Sequence, residues 1–399
     1  MSKRNIQIYI GLLKIRLYIK SKNVLQFKKI YQKLQKQITY NRILNKGTAV
    51  LILFVFITGS IAGCGQNVQT TSVETRQVNN LTENTVNVPV NINAIATAYG
   101  PSYESMVVLG QEDKIVICAD VQVQTFAWAQ KVFRRITSLP VLSNVHAAVN
   151  IEELLKYKPD IVFGFPRPNE EKKLGEAKVA SVPGKTTTTL ADIPEQLKEY
   201  ANVLGGDSIQ KAQQYETYFN QKINYIKSIT DKIPDDERPS VYFAGIDLLT
   251  TYGKYCDIPE LIATAGGKAV TKDLEAGNRT SINFEQLASY NPEYIFIDHG
   301  GIDNRDTVEQ IKKNTYSDGR YSTIKAVSKQ HVYLVPSGTY FWDMGLQKIL
   351  LLMYIAKIIH PQEFSDLNMV QEVKGFYATF FQYDLTDSDA QKILSRQDP

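Results

Sequence analysis

Seven side chains stand where short β-branched runs end and could together hold a ligand. They are Tyr99 in YGPSYE, Arg167 in FPRP, Tyr252 in LLTTYGKY, Arg279 in GNRTS, His299 in DHGG, and Tyr340 and Trp342 in GTYFWD. In open α/β sheets, ligands bind beyond the carboxyl ends of the strands, where these segments fall. Aromatic rings stack on a bulky ligand, and guanidinium groups pair with carboxylate or catecholate oxygens. The set therefore suits a bulky, anionic, partly apolar metal complex, with Trp342 first among the candidate contacts. The chain has 23 tyrosines, so position carries this argument more than residue type does.

Other chemistries lack their parts. Of four histidines, His331 begins a strand and His360 ends a helix before Pro361, both structural settings. His299 could complete a metal's coordination sphere, and His146 precedes the first helix–strand unit described below. A bare-ion site would need several convergent ligands, and none can be assembled, so a chelated metal is favoured over a free ion. Neither CxxC nor HExxH occurs, which removes support for structural zinc. Gly184-Lys185-Thr186 follows a strand, but Val179 stands where a phosphate loop needs glycine. Cys118 lies in an apolar strand and no GxSxG appears, so no catalytic residues are expected. A two-lobed extracytoplasmic enzyme such as a glycosyltransferase is the alternative of a different class, and it lacks a visible nucleophile–base set.

The elements that would position the seven residues alternate between strand and helix. INAIATA, KIVICAD, DIVFG and KVASVP read as strands before residue 190, and SVYFAGI, EYIFID and HVYLVP after Pro239. Such alternation predicts parallel sheets covered by helices. Between the two groups, Asp207 can cap one long helix ending before Pro234, with Ala212, Tyr215, Phe219, Ile223 and Ile226 at helical spacing. A helix of about 25 residues spans roughly 37 Å, enough to be a strut between lobes.

One unit is written twice. NIEELLKYKPDIVFG begins at Asn150 and NFEQLASYNPEYIFID at Asn283. In each, Asn caps a helix, Glu152 or Glu285 follows two residues on, and Glu153 or Gln286 can close a capping box. Carboxylates favour helix N-termini, which explains each copy. Its recurrence on either side of the long helix is explained by two lobes on one plan.

The net charge of +4 averages unlike segments. Residues 1–63 hold twelve Lys or Arg and no acid; the remaining 33 bases and 41 acids leave a body near −8, a poor match for nucleic acid. AVLILFVFITGSIAG, from Ala49, has signal-peptide length and ends at Ile61-Ala62-Gly63-Cys64, which resembles a bacterial lipobox. That resemblance makes Cys64 the lipidation site and the mature N-terminus, with two acyl chains for stable anchoring. No Met lies between Met1 and Cys64, and residues 1–41 are long for a basic preface, which points to translation starting near Ile43. Residues 64–93 read as a flexible tether rich in Asn, Thr and Gln.

Taken in order, ESMVVLGQEDKIVIC, the two repeated units, VSKQHVYLVPSGTYFWD and the tail LMYIAKIIHPQEFSDL resemble substrate-binding proteins of ABC importers, in the class taking ferric siderophores, haem and cobalamin. The resemblance covers about residues 94–395. It implies two Rossmann-like α/β lobes with mostly parallel sheets, joined by one long α-helix. The expected divisions are a leader at 1–63, the tether at 64–93, an N-terminal lobe at 94–191, a helical connector at 192–234 and a C-terminal lobe at 235–399. It also implies that Glu152 and Glu285 dock onto a permease dimer whose cytoplasmic ATPase drives transport. The expected protein is a lipid-anchored, extracytoplasmic monomer without cofactor that binds a metal chelate. Ferric siderophore is the first choice, with haem, a corrinoid or molybdate as alternatives.

Overall fold

Apolar runs long enough to be covered on both faces form the centre of each half. In the computed structural model, which describes residues 74–79, 85–119, 126–145, 147–245, 247–298 and 306–399, these runs build two separate sheets. A hairpin precedes them, made of β1 (Thr75–Asn79) and β2 (Thr85–Pro89). The first sheet holds β3 (Ile95–Thr97), β4 (Ile115–Ala119), β5 (Val141–Leu142), β6 (Ile161–Gly164) and β7 (Ala180–Pro183). Its order is β5-β4-β3-β6-β7, parallel throughout. Every residue of β6 is buried, as a strand covered on both faces requires.

The second sheet comprises β8 (Ser240–Ala244), β9 (Thr250–Thr251), β10 (Lys268–Ala269), β11 (Thr280–Ser281), β12 (Tyr294–Ile297) and β13 (Val332–Leu334). Its order is β11-β9-β8-β12-β13, with β10 also on β8. β8, β10, β12 and β13 run parallel, and β9 and β11 add antiparallel pairings at one edge.

The helices used below are α1 (Ser102–Val108), α2 (Ala127–Val132), α3 (Ile151–Leu155), α4 (Pro168–Glu176), α5 (Asp192–Leu204), α6 (Ser208–Thr230), α7 (Ile258–Thr264), α8 (Phe284–Tyr290), α9 (Asp306–Ser317), α10 (Lys348–Ile359), α11 (Met369–Phe376) and α12 (Asp387–Leu394). The long helix α6 has 23 residues, about 35 Å at 1.5 Å per residue. It buries Ala212, Tyr215, Phe219 and Ile226, the stripe that the spacing predicts, and Ile223 packs partly buried beside them. Asp207 stands at its start in helical backbone geometry and makes no side-chain cap bond, so the expected cap is not formed.

The repeated unit is the same construction twice. Asn150 Oδ1 accepts from Glu153 N at 3.1 Å, and Asn283 Oδ1 accepts from Gln286 N at 2.8 Å. Neither copy forms the reciprocal half of a capping box, and at the second Gln286 donates instead to the Tyr290 hydroxyl. Each unit turns through a left-handed residue, Lys158 or Asn291, just before its proline. The acid after that proline then fastens the neighbouring strand. Asp160 Oδ2 accepts from Asn93 N and Ala94 N at 2.7 and 2.9 Å, and Glu293 Oε2 accepts from Ser240 N at 3.0 Å. Register between β6 and β3, and between β12 and β8, is thus set by matching carboxylates.

Two expectations are corrected by packing. Residues 75–79 and 85–89 are a docked hairpin, where a flexible tether was expected over 64–93. Val88 is fully buried, Val78 and Val86 pack against the core, and Arg76 donates to the carbonyls of Asn202 and Val203 at the C-terminal end of α5. Alternating valines and a cation at a helix C-terminus suffice to hold it there. The chain end also leaves the second lobe, although 235–399 was expected to form one lobe. Trp128 Nε1 on α2 donates to Gln397 O at 2.8 Å, Lys131 pairs with Asp389 at 3.0 Å, and Phe133 packs edge-on against Phe381 at 5.2 Å. The last helices therefore return to the N-terminal lobe, and α6 is not the sole bridge.

Residues 1–63, where a leader was expected, and Cys64, the expected lipidation site, lie outside the described residues. Among the described residues no helix is long and apolar enough to cross a membrane. Cys118 and Cys256 are both buried.

Candidate functional site

The loops leaving the two sheets face each other across a cavity of about 350 Å³. From the N-terminal lobe come Tyr99, Phe165 and the segment Gly184–Thr187 after β7. From the other side come Tyr252, Asp257, Arg279, Tyr340, Asp343 and Lys348. Four of the seven sequence candidates, Tyr99, Tyr252, Arg279 and Tyr340, thus line the same cavity from its two sides.

Close backbone approach seats two of the tyrosines. A Cβ on Gly184 would come within 2.6 Å of the Tyr99 ring, and one on Gly100 within 2.0 Å of the Tyr340 hydroxyl. Tyr340 therefore reaches across from the second lobe onto the N-terminal lobe, into space that only glycine leaves. Phe165 packs edge-on against Tyr99 at 4.9 Å and extends the aromatic wall.

The remaining candidates sit elsewhere. Trp342, expected on the cleft wall, is fully buried, and its Nε1 donates to Gln347 Oε1 at 3.0 Å. Its neighbours in the GTYFWD loop, Tyr340 and Asp343, take the cavity positions. Arg167, also expected there, lies behind the wall. Its guanidinium donates to Val145 O at 2.8 Å and pairs with Glu170 at 3.0 Å, while stacking over Phe165 at 4.4 Å. It braces an aromatic wall residue from outside the cavity. His299 and His146 lie outside the described residues. His331 Nδ1 lies 3.2 Å from Glu293 O and His360 Nε2 lies 3.0 Å from Gly266 O, both structural contacts. Glu152 and Glu285 are exposed, in the first turns of α3 and α8.

Several wall residues escape sequence reasoning. Lys348 and Asp257 form an ion pair in which each side chain is only 3% exposed. The partners lie at the start of α10 and just before α7, far apart in sequence, so no local pattern announces them. The GKTTTT segment belongs to the wall despite lacking a phosphate loop. Asp192 holds it, accepting from Thr188 N at 2.7 Å, Thr189 N at 2.9 Å and Lys185 Nζ at 2.5 Å. Burial alone would raise the Asp192 carboxyl, but these bonds outweigh it and hold the group well below the usual range. Leu190 N then donates to Glu260 Oε2 on α7 at 2.8 Å, tying this loop to the opposite lobe.

The tyrosine hydroxyls remain protonated donors at neutral pH. Tyr99 is pushed up to about 12, chiefly by burial and then by the charges of Asp257 and Asp343. Tyr252 and Tyr340 are also raised well above the ordinary tyrosine value, again by burial first and then by neighbouring groups including Asp343. Tyr252 donates to Asp298, and Arg279 Nε lies 3.5 Å from the Tyr252 hydroxyl. Arg279 holds a left-handed backbone, φ 50°, at the cavity edge, a strained position of the kind that functional sites retain. Among the described residues no three His, Cys, Asp or Glu side chains converge as a metal-ligand set. The arrangement can stack, donate hydrogen bonds and balance charge, which is the chemistry of holding a solute.

Comparison with known proteins gives the same picture. Residues 95–339 match the model of the family described as periplasmic binding protein. The chain is 25% identical over 258 residues to the molybdate-binding protein MolA of Haemophilus influenzae, covering 59% of this chain and 70% of that one. It is 26% identical over 196 residues to the iron-uptake system-binding protein of Bacillus subtilis, 46% of this chain and 57% of that relative's length. A solved periplasmic solute-binding protein from Veillonella parvula superimposes with a TM-score of 0.68 at 27% identity, over 81% of this chain and 97% of that one.

Proposed function

Because this chain belongs to the periplasmic binding protein family, the extracytoplasmic solute-binding subunits of ABC importers, we propose that it captures a chelated metal, with ferric siderophore as its cargo, and delivers it to a dimeric permease. The observation that carries the reading is the cavity between the lobes, walled by Tyr99, Phe165, Tyr252 and Tyr340 with Arg279 at its edge. Its 350 Å³ lies at the lower end of the roughly 300–1,000 Å³ of small-molecule sites, so a full-sized chelate fills it and opens the lobes slightly. Stiffness of α6 limits that movement to a small rotation. Glu152 and Glu285, exposed at matching positions of the two lobes, supply one anionic contact for each permease subunit. Cys64 carries the lipid that keeps the protein at the cell membrane, and hydrolysis of ATP belongs to the partner. The protein itself makes and breaks no bond.

A second reading, molybdate, is favoured by the Haemophilus influenzae relative and by the small-residue donors Thr186 and Thr187 on the wall. Isothermal titration calorimetry of the full chain in detergent separates the two. Ferric hydroxamate and catecholate complexes, haem, cobalamin and molybdate are each titrated in turn. Heat of binding with at least one ferric complex and none with molybdate supports the first reading; the reverse establishes the second. Both buried tryptophans, Trp128 and Trp342, are unsuited as reporters, which is why calorimetry is preferred to fluorescence.

A further inference from the structure

Resting on the reading of the cavity as a metal-complex site, we propose that cargo binding is proton-linked: the lobes part slightly around the complex, water reaches the buried carboxyl of Glu104, and a proton leaves for solvent with each complex taken up. Glu104 stands on α1 of the N-terminal lobe and is fully buried. Its partners come from the other lobe, on the segment that follows β13. Thr339 Oγ1 and Gln347 Nε2 both donate to Oε1, at 2.5 and 2.6 Å. Gln347 Oε1 in turn accepts from Trp342 Nε1 at 3.0 Å and from the Tyr377 hydroxyl at 3.1 Å. Glu104 is therefore the N-terminal lobe's end of a buried polar network that the other lobe's side supplies. Its second oxygen, Oε2, is buried and finds no hydrogen-bond partner among the described residues. This network backs onto the cavity. Ser105, next to Glu104, lines it, as do Tyr340, Gly345 and Leu346 from the segment that carries Thr339 and Gln347. A Cβ on Gly345 would lie 4.0 Å from Oε2, so the oxygen sits directly behind a wall residue that has no side chain. A complex that spreads the lobes draws Thr339 and Gln347 away from Glu104 and admits water to it.

With the lobes together, ionising Glu104 would bury a charge on a group that only two hydrogen bonds reach, both at one oxygen, and burial makes that costly. Burial accordingly pushes the carboxyl up to about 7, against the opposing pull of Thr339 and Gln347. The titratable groups that face it are phenols: Tyr215 on α6, Tyr340 after β13 and Tyr377 after α11. Burial raises all three, so they are neutral at physiological pH. The neighbouring charges are engaged elsewhere. Glu112 accepts from the Tyr103 hydroxyl and pairs with Arg134, while Lys348, next to Gln347, pairs with Asp257. Once water reaches Glu104, its carboxyl falls back towards the ordinary 4.5 and the proton is lost. Between those two values the empty site holds a proton that the filled site does not, so affinity rises with pH across that window.

The test is calorimetry of the full chain in detergent with a neutral cyclic ferric tris-hydroxamate. The hydroxamates of this probe are already deprotonated on iron, so it brings no exchangeable proton of its own. Titrations at about pH 6 in phosphate and in bis-tris, which differ in ionisation enthalpy, give the proton count. Between about 0.5 and 1 proton should be released per complex, and Kd should tighten at least about tenfold from about pH 5.5 to 8. Glu104→Gln should release fewer than about 0.2 and hold its Kd within about twofold over the same range. Where another ferric complex is the one that binds, subtracting the variant's count from that of wild type cancels protons belonging to the complex. If the variant does not fold, infrared difference spectroscopy of wild type decides: filling the site should remove the carbonyl band of a protonated carboxyl, and a spectrum without that loss overturns the proton link. Release of no proton, uptake of one, or equal counts from wild type and variant likewise overturn it and leave the metal-complex reading in place. Silence with every ferric complex titrated above removes that reading and this inference with it.

Discussion

Glu104→Gln should make the protein more stable in base without changing it much in acid. Glu104 lies on α1, fully buried at the junction of the lobes. Its Oε1 accepts from Thr339 Oγ1 at 2.5 Å and Gln347 Nε2 at 2.6 Å, both on the second lobe's side, while Oε2 is buried without a hydrogen-bond partner. Burial raises this carboxyl from 4.5 to about 7, and the two hydrogen bonds only partly offset it. The folded protein therefore holds the proton more tightly than the unfolded chain does. The group's contribution to stability is fullest below pH 4.5 and is lost as pH rises through about 7. The gap between those values, at 1.36 kcal/mol per unit, is worth about 3 kcal/mol. Glutamine keeps the shape and the acceptor oxygen but never ionises. Between pH 5 and pH 8 the stability of the variant relative to wild type should swing in its favour by about 2.5 kcal/mol, or about 4 °C in Tm. Differential scanning calorimetry at the two pH values reads this directly. A variant that tracks wild type across that range, or loses ground at pH 8, refutes the placement of a buried, half-bonded carboxyl between the lobes.

The other expectations concern docking, closure and the tryptophan. Glu152→Ala with Glu285→Ala should cut uptake by whole cells more than about tenfold while Kd shifts by less than about twofold; equal losses in both would remove the docking role. Gly100→Ala places a methyl group where the Tyr340 hydroxyl stands, costing about 1–3 kcal/mol and weakening ligand binding. Unchanged Tm and Kd for that variant would mean that Tyr340 is not wedged between the lobes. Trp342→Phe removes the buried bond to Gln347, so urea denaturation should show a loss of about 1–2 kcal/mol with ligand affinity intact. A selective loss of affinity there would restore Trp342 to the binding wall.

What the chain reveals in sequence follows the range of the interactions involved. Strands β3, β4, β6–β8, β12 and β13 and the stripe on α6 are local periodicities and could be read directly. The pairs β9–β11 are two residues each and carry no period. The hairpin at 75–89 was hidden by polar composition, because three valines and one arginine hold it through contacts made elsewhere. Tyr99, Tyr252, Arg279 and Tyr340 were legible as strand-end residues, since topology puts such loops together. Which residue of GTYFWD faces the cavity was not legible: Gln347, five positions on, draws the indole of Trp342 into the core. The buried ion pair of the wall was equally hidden, because Lys348 and Asp257 meet only in three dimensions.

Hydrogen–deuterium exchange with and without a neutral ferric tris-hydroxamate tests the central claim, that cargo is held between the two lobes, most directly. The account predicts slower exchange on both sides of the cavity together, in residues 184–189 of the N-terminal lobe and in 252–258 and 338–348 opposite. Protection confined to one lobe, or lying away from these segments, would contradict it.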